Sequence, residues 1–310
     1  MQMRTRTAAI LGSVALVLGL VAGPVVAQEA SPAPGAPVAV PFTDSAGVTH
    51  GTVTIKSVAD PFTDIDPASP PPEGQHFVLA TVVFEAADDQ SLVADPYQVV
   101  LQDSDGYLRW STWVPRVQPV TVPDLQNQTL APGDRISGVI GYLVPDRATT
   151  AAILYSPEWN RWIPLHQGTA AAPVAIGDPV TVTDASGLTH GTATVRDVAD
   201  PYTNHDPNQP PAEGMRYVLL TAAFEAAEDQ TLNVDPYGIT LQDANGMLYN
   251  ASWVPRPPED IVPDLQSQLL APGDRISGRV GFSVPVGAEL VAVQWAPESN
   301  RFVPLAMLGG

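Results

Sequence analysis

The chain has 310 residues, with 33 prolines, 24 glycines, no cysteine and a formal net charge of −19 from 14 Lys and Arg against 33 Asp and Glu. The lack of cysteine excludes disulfides, thiolate zinc sites, iron–sulfur clusters and a thiol nucleophile. So few cations exclude nucleic acid as a partner, because its phosphates must be met by a basic patch.

Met1 to Thr7 carries Arg4 and Arg6, and residues 8–26 are apolar or small, ending in Val25-Val26-Ala27. A basic start, an apolar run and a small-residue exit predict a Sec-type secretory signal peptide over residues 1–27. The run approaches the ~20 residues that span a bilayer, so an N-terminal membrane anchor is the alternative; Pro24 and the small exit favour cleavage. Cleavage removes both arginines and takes the net charge from −19 to −21, with Lys56 the only lysine. The expected product is a secreted bacterial protein with no membrane attachment. Residues 28–37, with three prolines, read as a spacer.

A shift of 140 residues aligns Val38–Leu165 with Asp178–Leu305 without a gap. Thr49-His50-Gly51-Thr52 recurs as Thr189-His190-Gly191-Thr192, and Leu130 to Gly138 recurs whole as Leu270 to Gly278. A period this long is a duplicated domain, not a solenoid unit. Residues 38–166 form the first repeat and 178–306 the second, joined by a small-residue linker over 167–177.

Within a repeat the apolar period is two. Thr52–Val58 alternates polar and apolar as a half-buried strand does, and Phe77–Phe84 is a nearly continuous apolar run expected in a central strand covered on both faces. Further strands are expected near Gln98–Gln102, Tyr107–Trp113, Asp134–Val144, Ala151–Tyr155 and Arg161–Leu165, with prolines and Asp-Gly pairs between them. Short strands at this density predict an all-β chain of two tandem immunoglobulin-like β-sandwiches, with a small barrel as the competing architecture.

Leu101-Gln102-Asp103-Ser104-Asp105-Gly106-Tyr107, then Leu130-Ala131-Pro132-Gly133, Gly138 and Val144-Pro145, resembles the secreted immunoglobulin-like family called domain of unknown function 4352. That family is similar to the mycobacterial immunoprotective extracellular protein. The second copy carries the same pattern at Leu241 to Gly246, Leu270 to Gly273, Gly278 and Val284-Pro285. The resemblance implies an exported β-sandwich and supplies no catalytic residues.

The sequence holds four kinds of candidate site. Asp60, Asp64 and Asp66, with Asp200, Asn204 and Asp206 in the second copy, open Pro-rich loops whose oxygens suit calcium, the one cofactor the sequence suggests. Against it, Asp64 becomes Asn204, and a rigid solvated loop explains the same residues. The acidic clusters after the longest strand, from Glu85 and from Glu225, could serve glycoside hydrolysis only across a fixed cleft; solvated surface is the simpler reading. His50 and His190 are single matched histidines near a turn, too few for a metal site. Trp113 with Arg116, Trp253 with Arg256, and the matched Tyr97 and Tyr237 would, if exposed, offer aromatic platforms of the kind that dominates binding surfaces; packing in the sandwich core is the competing and commoner place for such rings. Trp110, Trp159 and Trp162 have no tryptophan counterpart in the second copy.

The expected function is therefore that of an exported, non-catalytic binding protein for an extracellular protein or cell-surface polymer. A calcium-stiffened spacer is the alternative, and a divergent secreted hydrolase acting through the Asp/Glu loops comes last, because no nucleophile–base constellation is visible.

Overall fold

The structure is a computed structural model that describes residues 37–168 and 173–309. The expected signal segment, all of the expected spacer but Pro37, and residues 169–172 of the linker lie outside the described residues. The described repeats belong to one compact unit, Gly35–Gly310.

The first repeat has ten strands: β1 (Ala39–Thr43), β2 (Thr49–Ala59), β3 (Gln75–Ala86), β4 (Leu92–Ala94), β5 (Val99–Asp103), β6 (Leu108–Arg109), β7 (Gln128–Leu130), β8 (Arg135–Pro145), β9 (Thr150–Tyr155) and β10 (Ile163–Gln167). The second repeats them as β11 (Val180–Thr183), β12 (Thr189–Ala199), β13 (Met215–Ala226), β14 (Leu232–Val234), β15 (Ile239–Asp243), β16 (Leu248–Asn250), β17 (Gln268–Leu270), β18 (Arg275–Pro285), β19 (Leu290–Glu298) and β20 (Arg301–Met307). Each repeat is a sandwich of two four-stranded sheets, ordered β1-β2-β3-β8 and β10-β9-β5-β6 in the first, with a small ribbon of β4 and β7. Strands pair antiparallel throughout, which allows one face to pack and the other to meet water or a neighbour.

β3 is the central strand its apolar run predicts, with Val78, Ala80, Val82 and Phe84 fully buried toward the sandwich interior. They meet Tyr142 from β8 and Ile153 and Tyr155 from β9, with Phe84 edge-on to Tyr155. Burying each large apolar side chain contributes about 1.5–3 kcal/mol. In the second repeat Trp295 takes the place of Tyr155 and packs on Phe224 at 5.0 Å between ring centroids.

Three strands escape the sequence pattern: β1, β4 and β7 are three to five residues long, too short to display a period. β1 also contains Pro41, tolerated because β1 is an edge strand. The strand expected over Tyr107–Trp113 ends at Arg109. Beyond it the chain leaves β5 and crosses to the edge strand β8, where Thr112 N donates to Gly141 O at 2.8 Å.

The two repeats clasp each other reciprocally. Phe302 N donates to Gly106 O at 2.9 Å, and Trp162 N to Gly246 O at 2.8 Å. Leu108 N donates to Asn300 O and Leu248 N to Asn160 O, each at 2.8 Å. Every contact has its partner 140 residues away, so the repeats are related by a pseudo-twofold. Only glycine serves at the two turn positions. Gly106 and Gly246 have φ of +87° and +79°, and an added Cβ would lie 2.6 Å from Phe302 O and 2.3 Å from Trp162 O.

Candidate functional site

Edge strands must be covered or blunted, and β8 and β18 are covered by irregular backbone. Residues 111–126 leave at Thr112, facing Gly141, and return at Asp124 beside Val139, where Leu125 N donates to Val139 O at 2.9 Å. Residues 251–266 do the same along β18, through Ser252 to Gly281 and Leu265 to Arg279. The approach depends on a missing side chain. A Cβ on Gly141 would sit 2.2 Å from Val114 Cγ2, and one on Gly281 2.5 Å from Val254 Cγ2. Val114 and Val254 are buried as a result, and the preceding tryptophans stand out into solvent.

Trp113 is 69% exposed and Trp253 67%. Each stands beside a tyrosine from a separate element. Asp95 caps the 3₁₀ turn Pro96–Gln98 by accepting from Tyr97 N at 2.9 Å, and Asp235 caps Pro236–Gly238 by accepting from Tyr237 N. The caps leave Tyr97 65% and Tyr237 74% exposed. Tyr97 and Trp113 line one cleft of about 240 Å³, over Val139 and Gly141. Tyr237 and Trp253 line the equivalent cleft of about 340 Å³, over Arg279 and Gly281. Trp113 also borders a second cleft of about 540 Å³ that reaches Arg116 and Asp66.

The arginines lie beneath this surface. Arg116 Nη1 donates to Val122 O at 2.6 Å and Nη2 to Asp124 at 2.8 Å; Arg256 makes the same bonds to Val262 O and Asp264. Their side chains are only 11–13% exposed, so they hold the loop that displays the tryptophan. Arg256 also meets Asp260 at 3.1 Å. Burial of Asp260 favours its neutral form, but the guanidinium and the Val262 N–H outweigh that and hold the carboxyl below its usual range.

One position separates the clefts chemically. Val139 in the first repeat is Arg279 in the second, whose Nη1 donates to Thr221 Oγ1 at 2.5 Å and whose Nε has no partner among the described residues. Its nearest carboxylate, Asp197, is 3.9 Å away. The sequence shows this substitution but not that it opens onto the aromatic cleft.

The acidic loops are drawn apart. Asp60 accepts from His76 Nε2 at 2.9 Å and from Thr150 N at 2.6 Å, and Asp200 forms a two-point pair with Arg216 at 2.6 and 2.9 Å. Asp66 and Asp206 cap their own turns through Ala68 N and Asn208 N, while Asp64 and Asn204 point into solvent. Among the described residues no three His, Asp or Glu side chains are grouped to hold a metal ion. Glu85 lies on the surface 3.6 Å from Arg135.

His50 donates from Nε2 to Asp44 at 3.0 Å and from Nδ1 to the Ser91 carbonyl at 3.2 Å, and stacks on Phe42. With acceptors at both nitrogens the protonated ring is favoured; the Asp44 carboxylate leads, and the pKa lies above the ordinary histidine value. His190 repeats the arrangement with Thr231 O and Asp184 and is raised likewise, the Thr231 carbonyl leading.

No helix among the described residues is long and apolar enough to cross a membrane. No curated protein matches the chain. Among solved structures it is similar to the yjhA protein from Bacillus subtilis, at 15% identity over 41% of this chain and 84% of that one, TM-score 0.30. It is also similar to the ycdA protein of Bacillus subtilis, a candidate lipoprotein, at 19% identity over 43% of this chain, TM-score 0.32; the match spans 38% of that protein's length. The family known as domain of unknown function DUF4352 matches residues 41–161 and again 174–298. The two matches take in most of both sandwiches, and the chain belongs to the DUF4352 family as a tandem pair.

Proposed function

We propose that the chain is an exported, non-catalytic binding module that holds a cell-surface polymer in two equivalent clefts, one in each repeat. The observation that carries this reading is the pairing of Tyr97 with Trp113 and of Tyr237 with Trp253, all at least 65% exposed, on matched clefts. Leaving large rings in water is unfavourable unless a ligand covers them, and caps and edge bonds here fix the backbone that carries them. Stacking on a sugar or peptide plane needs little beyond such a fixed platform. Two clefts on one compact unit raise avidity for a repeating polymer through effective concentration. Export rests on the basic, apolar and small-residue pattern of residues 1–27.

Co-sedimentation of the purified chain with insoluble cell-wall polymer tests the reading. The parent protein pellets with the polymer, and the double variant W113A/W253A stays in the supernatant with its melting temperature unchanged. Equal pelleting of parent and variant would show the clefts to be uninvolved, and capture of an extracellular protein instead of polymer would change the partner class.

A further inference from the structure

Where the repeats meet, the outward faces of the β5–β9–β10 and β15–β19–β20 sheets turn toward each other and leave a cavity of about 490 Å³. Its volume lies in the range of small-molecule sites, which favour domain interfaces. The lining comes in pairs 140 residues apart: Trp162 with Phe302, Ala152 with Ala292, and Gln102 with Gln242. The walls are fixed before any ligand arrives, because the four backbone bonds of the clasp include those made by Trp162 N and Phe302 N themselves. Those two rings stand 6.0 Å apart at 52°, an open angle that leaves ring faces available.

The polar groups say what kind of molecule fits. Gln102 Nε2 donates to Phe302 O at 3.0 Å, Gln242 Nε2 to Trp162 O at 3.1 Å, and Gln294 Nε2 to Gln242 Oε1 at 2.5 Å. Each of these amide nitrogens spends one N–H within the protein and keeps the other. The side-chain carbonyl of Gln102 receives no donor among the described residues and can accept one. The one charged lining residue, Asp243, already accepts from Asn245 N, Met247 N and the Tyr249 hydroxyl. No cation lines the cavity to meet an anionic ligand and its one carboxylate is already taken up by three donors, whereas an apolar ring finds Trp162, Phe302 and Leu154.

We propose that this cavity on the pseudo-twofold binds one small, flat, uncharged molecule that carries a hydrogen-bond donor for the Gln102 carbonyl. The site is separate from the Tyr/Trp clefts and requires both repeats. The test titrates the purified chain with N-phenyl-1-naphthylamine, a neutral ring probe with one N–H, following its fluorescence and the energy transfer from tryptophan. Saturation at one probe per chain is expected, with transfer reduced in W162F. In A152W and A292W, which fill the cavity from opposite sides, saturable binding is lost, whereas W113A/W253A binds as the parent does. Circular dichroism of each variant identifies any that misfolds, and W162F then decides through the transfer signal alone. No saturable binding to the parent, two probes per chain, unchanged binding to the filled variants, or undiminished transfer in W162F would each overturn the proposal.

Discussion

Arg161 and Arg301 perform one task, one from each repeat. Each is almost fully buried, at 6% and 3% exposure, and among the described residues neither has a carboxylate partner in an ion pair. Arg161 joins Thr43 O, at the end of its own first strand, to Asn245 O of the second repeat at 3.1 Å. Arg301 joins Thr183 O to Asp105 O of the first repeat at 2.9 Å. A guanidinium suits this because its fork presents several donors in one plane. Arg301 also lies over the Tyr107 ring at 5.0 Å, and the Tyr107 hydroxyl donates to Glu298 at 3.0 Å.

Removing either clamp leaves two half-buried or exposed carbonyls at the clasp without their charged donor. R161A and R301A should each cost about 1.5–3 kcal/mol, the range for hydrogen bonds to a charged group. R301K should recover only part, since an ammonium cannot bridge two carbonyls in that geometry. Urea unfolding of the three variants checks this, and losses within about 0.5 kcal/mol would show the clamps to be idle.

Stability should depend on pH through His50 and His190. Both pKa values are raised in the folded protein, so their stabilisation is complete below the unfolded value near 6.5 and lost as pH rises through the folded one. His166 works in the opposite sense, because burial lowers its pKa and protonation below about 6.5 then disfavours the fold. Comparison with H50Q/H190Q isolates the first effect: the parent's advantage in melting temperature is larger at pH 6 than at pH 8. A constant difference across that window contradicts the assignment.

Gly141 and Gly281 control how closely the tryptophan segments lie on the edge strands. G141A and G281A place a methyl within 2.5 Å of a buried valine, so the segment must lift. Overpacking of this kind costs about 1–3 kcal/mol. Because Trp113 and Trp253 are carried on those segments, polymer affinity should fall along with melting temperature. Pairing thermal melts with binding assays on both variants measures the coupling.

The exchange of Val139 for Arg279 should divide the ligand preferences of the clefts. With one tryptophan removed at a time, the cleft containing Arg279 favours an acidic polymer over its neutral counterpart, and R279V abolishes that preference. V139R should confer it on the first repeat. Salt is an added control, since an ionic contribution weakens as the Debye length shrinks.

The duplication, the β class and the central strand were legible because they are local or periodic: a gapless 140-residue shift, alternation of two, and an apolar run at Phe77–Phe84. The Asp103–Gly106 turn announces itself in the same way. The clasp did not, because Arg161 and Asn245 are far apart in sequence and meet only through the fold. One signal was available, since Arg161 and Arg301 are a matched pair of cations at the approach to the last strand of each repeat. Tyr107–Trp113 reads as a strand by composition, yet the chain beyond Arg109 answers to the bare edge of β8 rather than to its own propensity. The aromatic candidates were visible as residue types, whereas their grouping depends on the caps at Asp95 and Asp235.

The most direct measurement is the affinity of the purified chain for insoluble cell-wall polymer, compared among the parent, W113A, W253A and the double variant. Each single variant is expected to lose affinity and the double variant to lose it entirely, with all four melting at the same temperature. Binding by the double variant at the parent's affinity would contradict a role for the paired aromatic clefts.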